Sequence, residues 1–267
     1  MTKVIVAGAA GRMGSRLVAL IKDSPTLTLA GAIEGKGHHA LGQDAGEAAG
    51  AGRIGVPITH DLTALLTQGD VVIEFSAPEA TLVHCRAVAE QRRAMVIGTT
   101  GFNAAELDEL KSLAKQVPCV LSPNMSVGVN LIFKVISEMA RTLGDDYDIE
   151  VIEAHHRLKK DAPSGTALKI AEVLARAVNR DLNQVGVYAR KGLIGERKKQ
   201  EIGIQTIRAG DIVGDHTILF GGMGERIELT HRASSRDTFA RGALRAARWV
   251  VTQPPGLYDM MDVLNLK

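Results

Sequence analysis

The sequence predicts an α/β protein in two parts: a parallel sheet flanked by helices in the N-terminal half, then a smaller α+β part with a mixed sheet. Three observations predict this. Between Lys3 and Val120 short apolar runs alternate with longer amphipathic segments, the pattern of βα units around a buried parallel sheet. The first of those runs, Val4–Ala7, opens directly into a glycine-rich turn and a helical segment. After Asn124 the βα alternation stops, and consecutive strand-like runs gather around one long helix.

Taken in order, the strands of the first part are expected at Val4–Ala7, Leu27–Ile33, Val71–Phe75, Met95–Ile97 and Cys119–Leu121. Helices are expected at Arg12–Lys22, Pro78–Gln91 and Ala104–Gln116. Pro78 and Asn103 serve as start signals for the last two, one as a ring pre-set for the first helical turn and one as a capping amide. The stretch Gly35–Gly55 carries seven glycines and no clear period, so it is expected to be a loop with one short helix. The second part opens with a helix from about Val129 to Leu143. An alternating strand at Tyr147–Ala154 and a helix starting near Ser164 follow. Strands at Gly203–Arg208, His216–Phe220 and Arg226–His231 come next, the last two joined by a hairpin at Gly221–Gly224. A final amphipathic helix, Phe239–Val251, is placed to pack back on the first part. The domains are therefore drawn as 1–126 with 234–267, and 127–233.

Composition sets bounds on function. Thirty-two basic residues against 30 acidic leave a net charge of +2, which gives no electrostatic argument for nucleic acid or an anionic membrane. The basic run Arg197-Lys198-Lys199 lies between Gly195 and Gly203 and reads as a solvated loop. No apolar run approaches the ~20 residues of a membrane-spanning helix, and the first residues do not read as a secretory signal, so a cytoplasmic protein is expected. The only two cysteines, Cys85 and Cys119, lack the spacing of a zinc or redox motif and read as buried thiols.

The turn after the first strand reads Gly8-Ala9-Ala10-Gly11-Arg12-Met13-Gly14. A tight turn, a backbone bare enough to approach a pyrophosphate, and a helix N-terminus with free N–H groups are what a dinucleotide needs there. An independent feature agrees with this reading. Glu34 follows the second strand, 20 residues after Gly14, where a carboxylate can accept hydrogen bonds from ribose hydroxyls. Together these make the first part a Rossmann-like dinucleotide-binding domain. Gly98-Thr99-Thr100 and Ser122-Pro123-Asn124-Met125 follow later strands of the same sheet, at the carboxyl ends where an open α/β sheet binds ligands.

The densest chemistry lies in the second part, from Glu150 to Ala167. Histidine exchanges protons near neutral pH, so His155 and His156 are candidate acids. Lys159 can hold an anion or supply a proton. Ser164-Gly165-Thr166 at a helix start offers N–H groups and hydroxyls to a carboxylate. The set reads as a receptor for a small anionic substrate. No metal is expected, because adjacent histidines on an extended chain face opposite ways and make a poor pair of zinc ligands.

This run resembles the signature of the dihydrodipicolinate reductase family, E-x-x-E-x-H-x-x-x-K-x-D-x-P-S-G-T-A, from Glu150 to Ala167 without a departure. The turn G-A-A-G-R-M-G, the segments G-T-T-G-F and S-P-N-M-S-V-G-V-N, and S-S-R-x-x-F-A-x-G-A at Ser234–Ala243 are also similar to that family, so the resemblance spans the chain. It implies reduction of 4-hydroxy-tetrahydrodipicolinate to tetrahydrodipicolinate in diaminopimelate and lysine biosynthesis. It makes His155 the proton donor and Lys159 its partner, and gives the substrate carboxylates, those of a small dicarboxylate, to His156 and Gly165-Thr166. The cofactor falls to Gly8–Met13, Glu34, Gly98–Thr100 and Ser122–Met125. The family resemblance also implies a homotetramer built through the substrate domain. Many members carry an arginine after the acidic residue, suited to the extra phosphate of NADPH. Here Gly35 stands in its place and Lys36 follows, so both NADH and NADPH are expected to serve, with NADH equal or preferred.

Two rival readings stand beside this one. A semialdehyde dehydrogenase would use a cysteine nucleophile, and Cys119 lies near the candidate cofactor loops. A non-catalytic nucleotide-binding regulator would leave the cluster from His155 to Thr166 without a task.

Overall fold

The computed structural model describes residues 1–267. In chain order the elements are β1 (Thr2–Ala7), α1 (Gly14–Lys22), β2 (Leu27–Ile33), α2 (Ala45–Ala48), β3 (Ile58–Thr59), α3 (Leu62–Leu65), β4 (Val71–Glu74), α4 (Pro78–Glu90), β5 (Ala94–Ile97), α5 (Ala104–Ala114) and β6 (Pro118–Leu121). Then come α6 (Val127–Leu143), β7 (Asp148–His155), α7 (Gly165–Ala177), α8 (Leu182–Val185), β8 (Gly186–Val187), β9 (Ile202–Arg208), β10 (Gly214–Gly221) and β11 (Arg226–Ala233). The chain ends with α9 (Asp237–Val250), β12 (Gly256–Tyr258) and α10 (Met260–Val263). It divides into two compact units, Met1–Val127 with Arg236–Lys267, and Gly128–Ser235.

The first unit is built on a seven-stranded sheet, ordered β12-β6-β5-β4-β1-β2-β3, in which every pair is parallel. The strand order reverses between β1 and β4, and that switch point is where such sheets bind nucleotides. Alternation along β1 divides the core. Val4 and Val6 face α1 and α9, while Ile5 and Ala7 join the α4 and α5 side with Cys85, Val88 and Leu110. Pro78 opens α4, and Asn103 caps α5 in a reciprocal box with Glu106. Helix α9 presents Ala240, Ala243, Ala246 and Ala247 to the core. It lies so close to the chain after β6 that a Cβ on Gly242 would stand 1.7 Å from the Met125 carbonyl oxygen. Arg16 on α1 holds its start through a two-pronged bond to Asp237, at 2.7 and 2.9 Å.

The second unit is a five-stranded mixed sheet, β11-β10-β7-β9-β8, with β10 antiparallel to both neighbours and β7, β9 and β8 parallel. Ile132 and Ile136 of α6 and Ile170 and Leu174 of α7 form its core with Ile149, Val151, Ile204, Ile218 and Phe220 from one sheet face.

Two expectations change. Helix α1 begins at Gly14 rather than Arg12, which leaves Arg12 and Met13 in the turn. The basic run is not uniformly solvated. Arg197 reaches Asp148 at 2.6 Å, Glu150 at 3.0 Å and the carbonyls of Ile149 and Glu201, while Arg190 forks onto Glu150 at 2.9 Å twice. These carboxylates lie some 40 to 50 residues away in sequence and meet the run only through the sheet.

Candidate functional site

In the first unit the chain leaves β1 with the N–H groups of Gly8 and Ala9 both donating to the Ile33 carbonyl at 3.0 Å. Gly8 adopts φ +71, and a Cβ there would stand 2.6 Å from the Phe75 carbonyl oxygen; one on Gly14 would stand 2.0 Å from the carbonyl oxygen of Gly8. The turn therefore tolerates no side chain at either position, which leaves a bare backbone cradle. Helix α1 has no side-chain cap and no acid in its first turn, so no side chain of its own competes with an anion there, although the Ser15 N–H donates to the Gly11 carbonyl at 3.0 Å. Gly11 and Arg12 are exposed beside it, Met13 is half-buried, and Ala9 is buried beneath. Glu34 accepts the Ala10 N–H at 2.8 Å, with exposed Gly35 and Lys36 following. This cradle fits a dinucleotide pyrophosphate, with a carboxylate for the adjoining ribose.

The two later loops are shaped by internal bonds. Thr99 is buried; its hydroxyl accepts the Ser76 N–H at 3.2 Å and pairs with Thr81 at 3.0 Å, while the Gly98 N–H donates to the Glu74 carbonyl at 3.0 Å and Thr100 is exposed. Ser122 donates to the Asn124 carbonyl at 2.9 Å, and Asn124 Oδ1 accepts the Ser126 N–H at 2.9 Å. Met125 is buried in the core beneath α9, while Pro123 is exposed. Cys119 is fully buried and burial pushes its thiol well above the ordinary range; Cys85 is raised to about 12, by burial and then by Glu74. Neither is available as a thiolate nucleophile at neutral pH, which removes the feature that recommended a semialdehyde dehydrogenase.

The second unit gathers the histidine cluster at the carboxyl end of β7. His155 is buried and His156 half-buried, as alternation along a strand requires. His155 Nδ1 lies 2.5 Å from Glu153 Oε2, and its ring stands edge-on to His216 at 5.2 Å. Beyond the strand, Lys159 pairs with Asp161 at 2.9 Å and bonds through its backbone N–H to the His156 carbonyl. Ser164 caps α7 by accepting the Ala167 N–H at 3.2 Å, and its hydroxyl meets His216 Nε2 at 3.2 Å. Gly165 is exposed with open space around it, so the first turn of the helix is accessible. His156 Nδ1 is buried and has no protein partner.

Electrostatics follow from this packing. Burial lowers the His155 pKa, Glu153 opposes that through its bond and charge, and Lys159 and Arg208 add to the lowering; the net result is below the ordinary value. His216 is brought down to about 4, by burial first and then by His155. Burial works to raise Glu153, but bonds from Arg208, His155 and the Ser164 N–H outweigh it and hold the carboxyl below its usual range. Three members of this cluster were not singled out in the sequence. Glu153 was legible, being two residues from His155 on a strand and so on the same face. Arg208 and His216 come from β9 and β10, and no local signal marks them.

A Rossmann unit with an open phosphate cradle and a second unit carrying a buried histidine beside a helix start define a two-domain nicotinamide-dependent oxidoreductase. Family models described as dihydrodipicolinate reductase N-terminus and C-terminus match residues 2–125 and 128–264. Proteins named 4-hydroxy-tetrahydrodipicolinate reductase from Syntrophus aciditrophicus and Syntrophobacter fumaroxidans are each 57% identical to this chain, over 100% of both chains. A dipicolinate-bound dihydrodipicolinate reductase from Paenisporosarcina sp. TG-14 superposes with a TM-score of 0.76 at 26% identity, covering 98% of each chain. The chain belongs to the dihydrodipicolinate reductase family.

Proposed function

We propose that this protein reduces 4-hydroxy-tetrahydrodipicolinate to tetrahydrodipicolinate, with loss of water, using either NADH or NADPH, in diaminopimelate and lysine biosynthesis. Family membership supports the reaction. The observation that carries the site is the convergence of His155, Lys159, His156 and the open start of α7 within one short stretch of the second unit. Gly8–Met13, Glu34, Lys36, Gly98–Thr100 and Ser122–Met125 hold the cofactor, whose nicotinamide supplies hydride when bound. The N–H groups of Gly165 and Thr166, the Ser164–Thr166 helix start, and the half-buried His156 receive the substrate carboxylates. With Nδ1 engaged by Glu153, His155 works through Nε2, where it delivers a proton to the reduced substrate. Lys159 places an ammonium beside that transfer. The carboxylates of a bound substrate favour the charged imidazole and offset the lowering by burial.

Self-association through the second unit is part of this reading. Outward-facing Ile207 is 48% exposed, and half-buried Ile152 and Leu219 lie on the same sheet face, opposite the one covered by α6 and α7. A homotetramer that buries this face accounts for the apolar residues there. No helix is long and apolar enough to cross a membrane, and a cytoplasmic location is proposed.

The test is loss of NADH absorbance when a synthase, pyruvate and aspartate semialdehyde generate the substrate in place. His155→Gln is expected to lower turnover by about 10²–10⁴-fold with cofactor affinity unchanged. A variant within about threefold of the parent would assign the proton to another group.

A further inference from the structure

One buried carboxylate holds three parts of the candidate site at once. Glu153 accepts from His155 Nδ1 at 2.5 Å, from the Ser164 N–H at 3.0 Å and from the Thr206 hydroxyl at 3.2 Å. Arg208 forks onto both of its oxygens at 2.9 Å, and the same guanidinium donates to the Asp161 carbonyl at 2.6 Å. The proton-bearing ring, the capping residue of the anion-receiving helix and the loop that carries Lys159 are thus tied to a single group. The sheet register makes this possible. Parallel pairing sets Arg208 beside His155 and Thr206 beside Glu153, and antiparallel pairing sets His216 beside Glu153 from the other side.

We propose that Glu153, clamped by Arg208, is the positioning residue of the reaction: it fixes His155 as the Nδ1–H tautomer and so reserves Nε2 for the substrate. This rests on the reading of His155 as proton donor. A bidentate arginine keeps the carboxylate anionic, and an anionic carboxylate can only accept, so Nδ1 must carry the proton. Every other charged group around the ring opposes its protonation. Lys159 does so from the following loop and Arg208 from β9, while His216 on β10 abuts the ring and is itself paired in register with His231 on β11. Glu153 alone stabilises the imidazolium, as the bond and charge that counter burial. Nε2 lies against Gly214, the first residue of β10, where a Cβ would stand 3.0 Å away.

Two measurements test this. In full-length protein labelled with nitrogen-15 at histidine, with His155→Gln for assignment, the His155 ring is expected as the Nδ1–H tautomer on the basic side of its titration. In Glu153→Gln, turnover at neutral pH is expected to fall about 10²-fold, with the substrate KM and cofactor binding within about threefold of the parent. The pH profile of kcat should also move, its loss of the protonated acid setting in at lower pH, which a purely structural role would not produce. An Nε2–H tautomer in the parent protein, or a Glu153→Gln profile that superimposes on the parent's, overturns the proposal. The tautomer is read without turnover, so it still decides the matter if Glu153→Gln does not fold. Failure of the parent protein to consume NADH strikes the proposed reaction instead.

Discussion

Glu34, the last acid before the glycine-rich loop after β2, accepts the N–H of Ala10 at 2.8 Å and so ties the end of β2 to the turn after β1. One carboxylate oxygen is committed to the turn. The other lies 3.4 Å from the Gly35 N–H, a weak contact, and in the proposed cofactor site it would receive ribose hydroxyls. A 2′-phosphate would meet this carboxylate as a like charge, which Lys36 offsets only in part because an ammonium lacks the planar fork of arginine. Both cofactors are expected to support turnover, with kcat/KM values within about 1.4 kcal/mol, a factor of ten, and NADH equal or better. A Cβ on Gly35 meets nothing within 4 Å, so Gly35→Arg is sterically free and should move preference toward NADPH. Kinetics with each cofactor at matched ionic strength decide it, and a hundredfold preference of the parent for NADPH contradicts this account of the turn.

A planar dianion should compete for the second unit. The start of α7 is open and the half-buried His156 ring follows the end of β7, so a ring with two carboxylates is expected to engage both. Pyridine-2,6-dicarboxylate is expected to inhibit competitively with substrate, and pyridine-2-carboxylate at least about tenfold less well, since it forfeits one charge-assisted contact. Equal inhibition constants would refute a paired cradle.

The βα order, the phosphate turn and the histidine cluster were legible because their signals are local. Leu27–Ile33 is apolar enough to define β2 to the residue, Asn103 marks the start of α5, and Glu34 sits at a fixed spacing from the glycines. Short elements were not legible. β3 and β12 have two and three residues, too few to show a period, and owe their form to pairing with β2 and β6. Long-range polar contacts were hidden for a related reason: nothing near Arg197 announces Asp148 and Glu150, and nothing near Arg208 announces Glu153. Strand pairing brings those charges together, and one sequence does not display strand pairing.

Alternation along β4 places Glu74 on the apolar face that Val72 shares with α4. There its Oε2 lies 2.6 Å from His84 Nδ1, while Oε1 is buried without a partner. Removing the histidine leaves a carboxylate with no hydrogen bond in an apolar core. His84→Leu is therefore expected to destabilise the fold by about 3–5 kcal/mol. Adding Glu74→Met should restore most of that loss, because a buried pair is replaced by apolar volume. Urea unfolding of both variants checks it, and a double variant no more stable than the single one would show that the pair is not the cause.

His216 makes stability depend on pH below neutrality. Burial and the neighbouring His155 bring its folded pKa to about 4, whereas an unfolded histidine titrates near 6.5. Between those values the unfolded chain binds a proton that the folded chain refuses, so stability rises with pH across the window and is lost as pH falls through 6.5 toward 4. The loss from this group is on the order of 2 kcal/mol by pH 5. His155 and His231 are also lowered by burial and act in the same direction, so the comparison must isolate His216. In His216→Gln an amide can still meet the Ser164 hydroxyl, and nothing at that position titrates. Urea unfolding at fixed protein concentration should show the parent losing about 2 kcal/mol more than His216→Gln between pH 7.5 and pH 5. Parallel pH dependences for the two proteins would mean that His216 is protonated inside the fold.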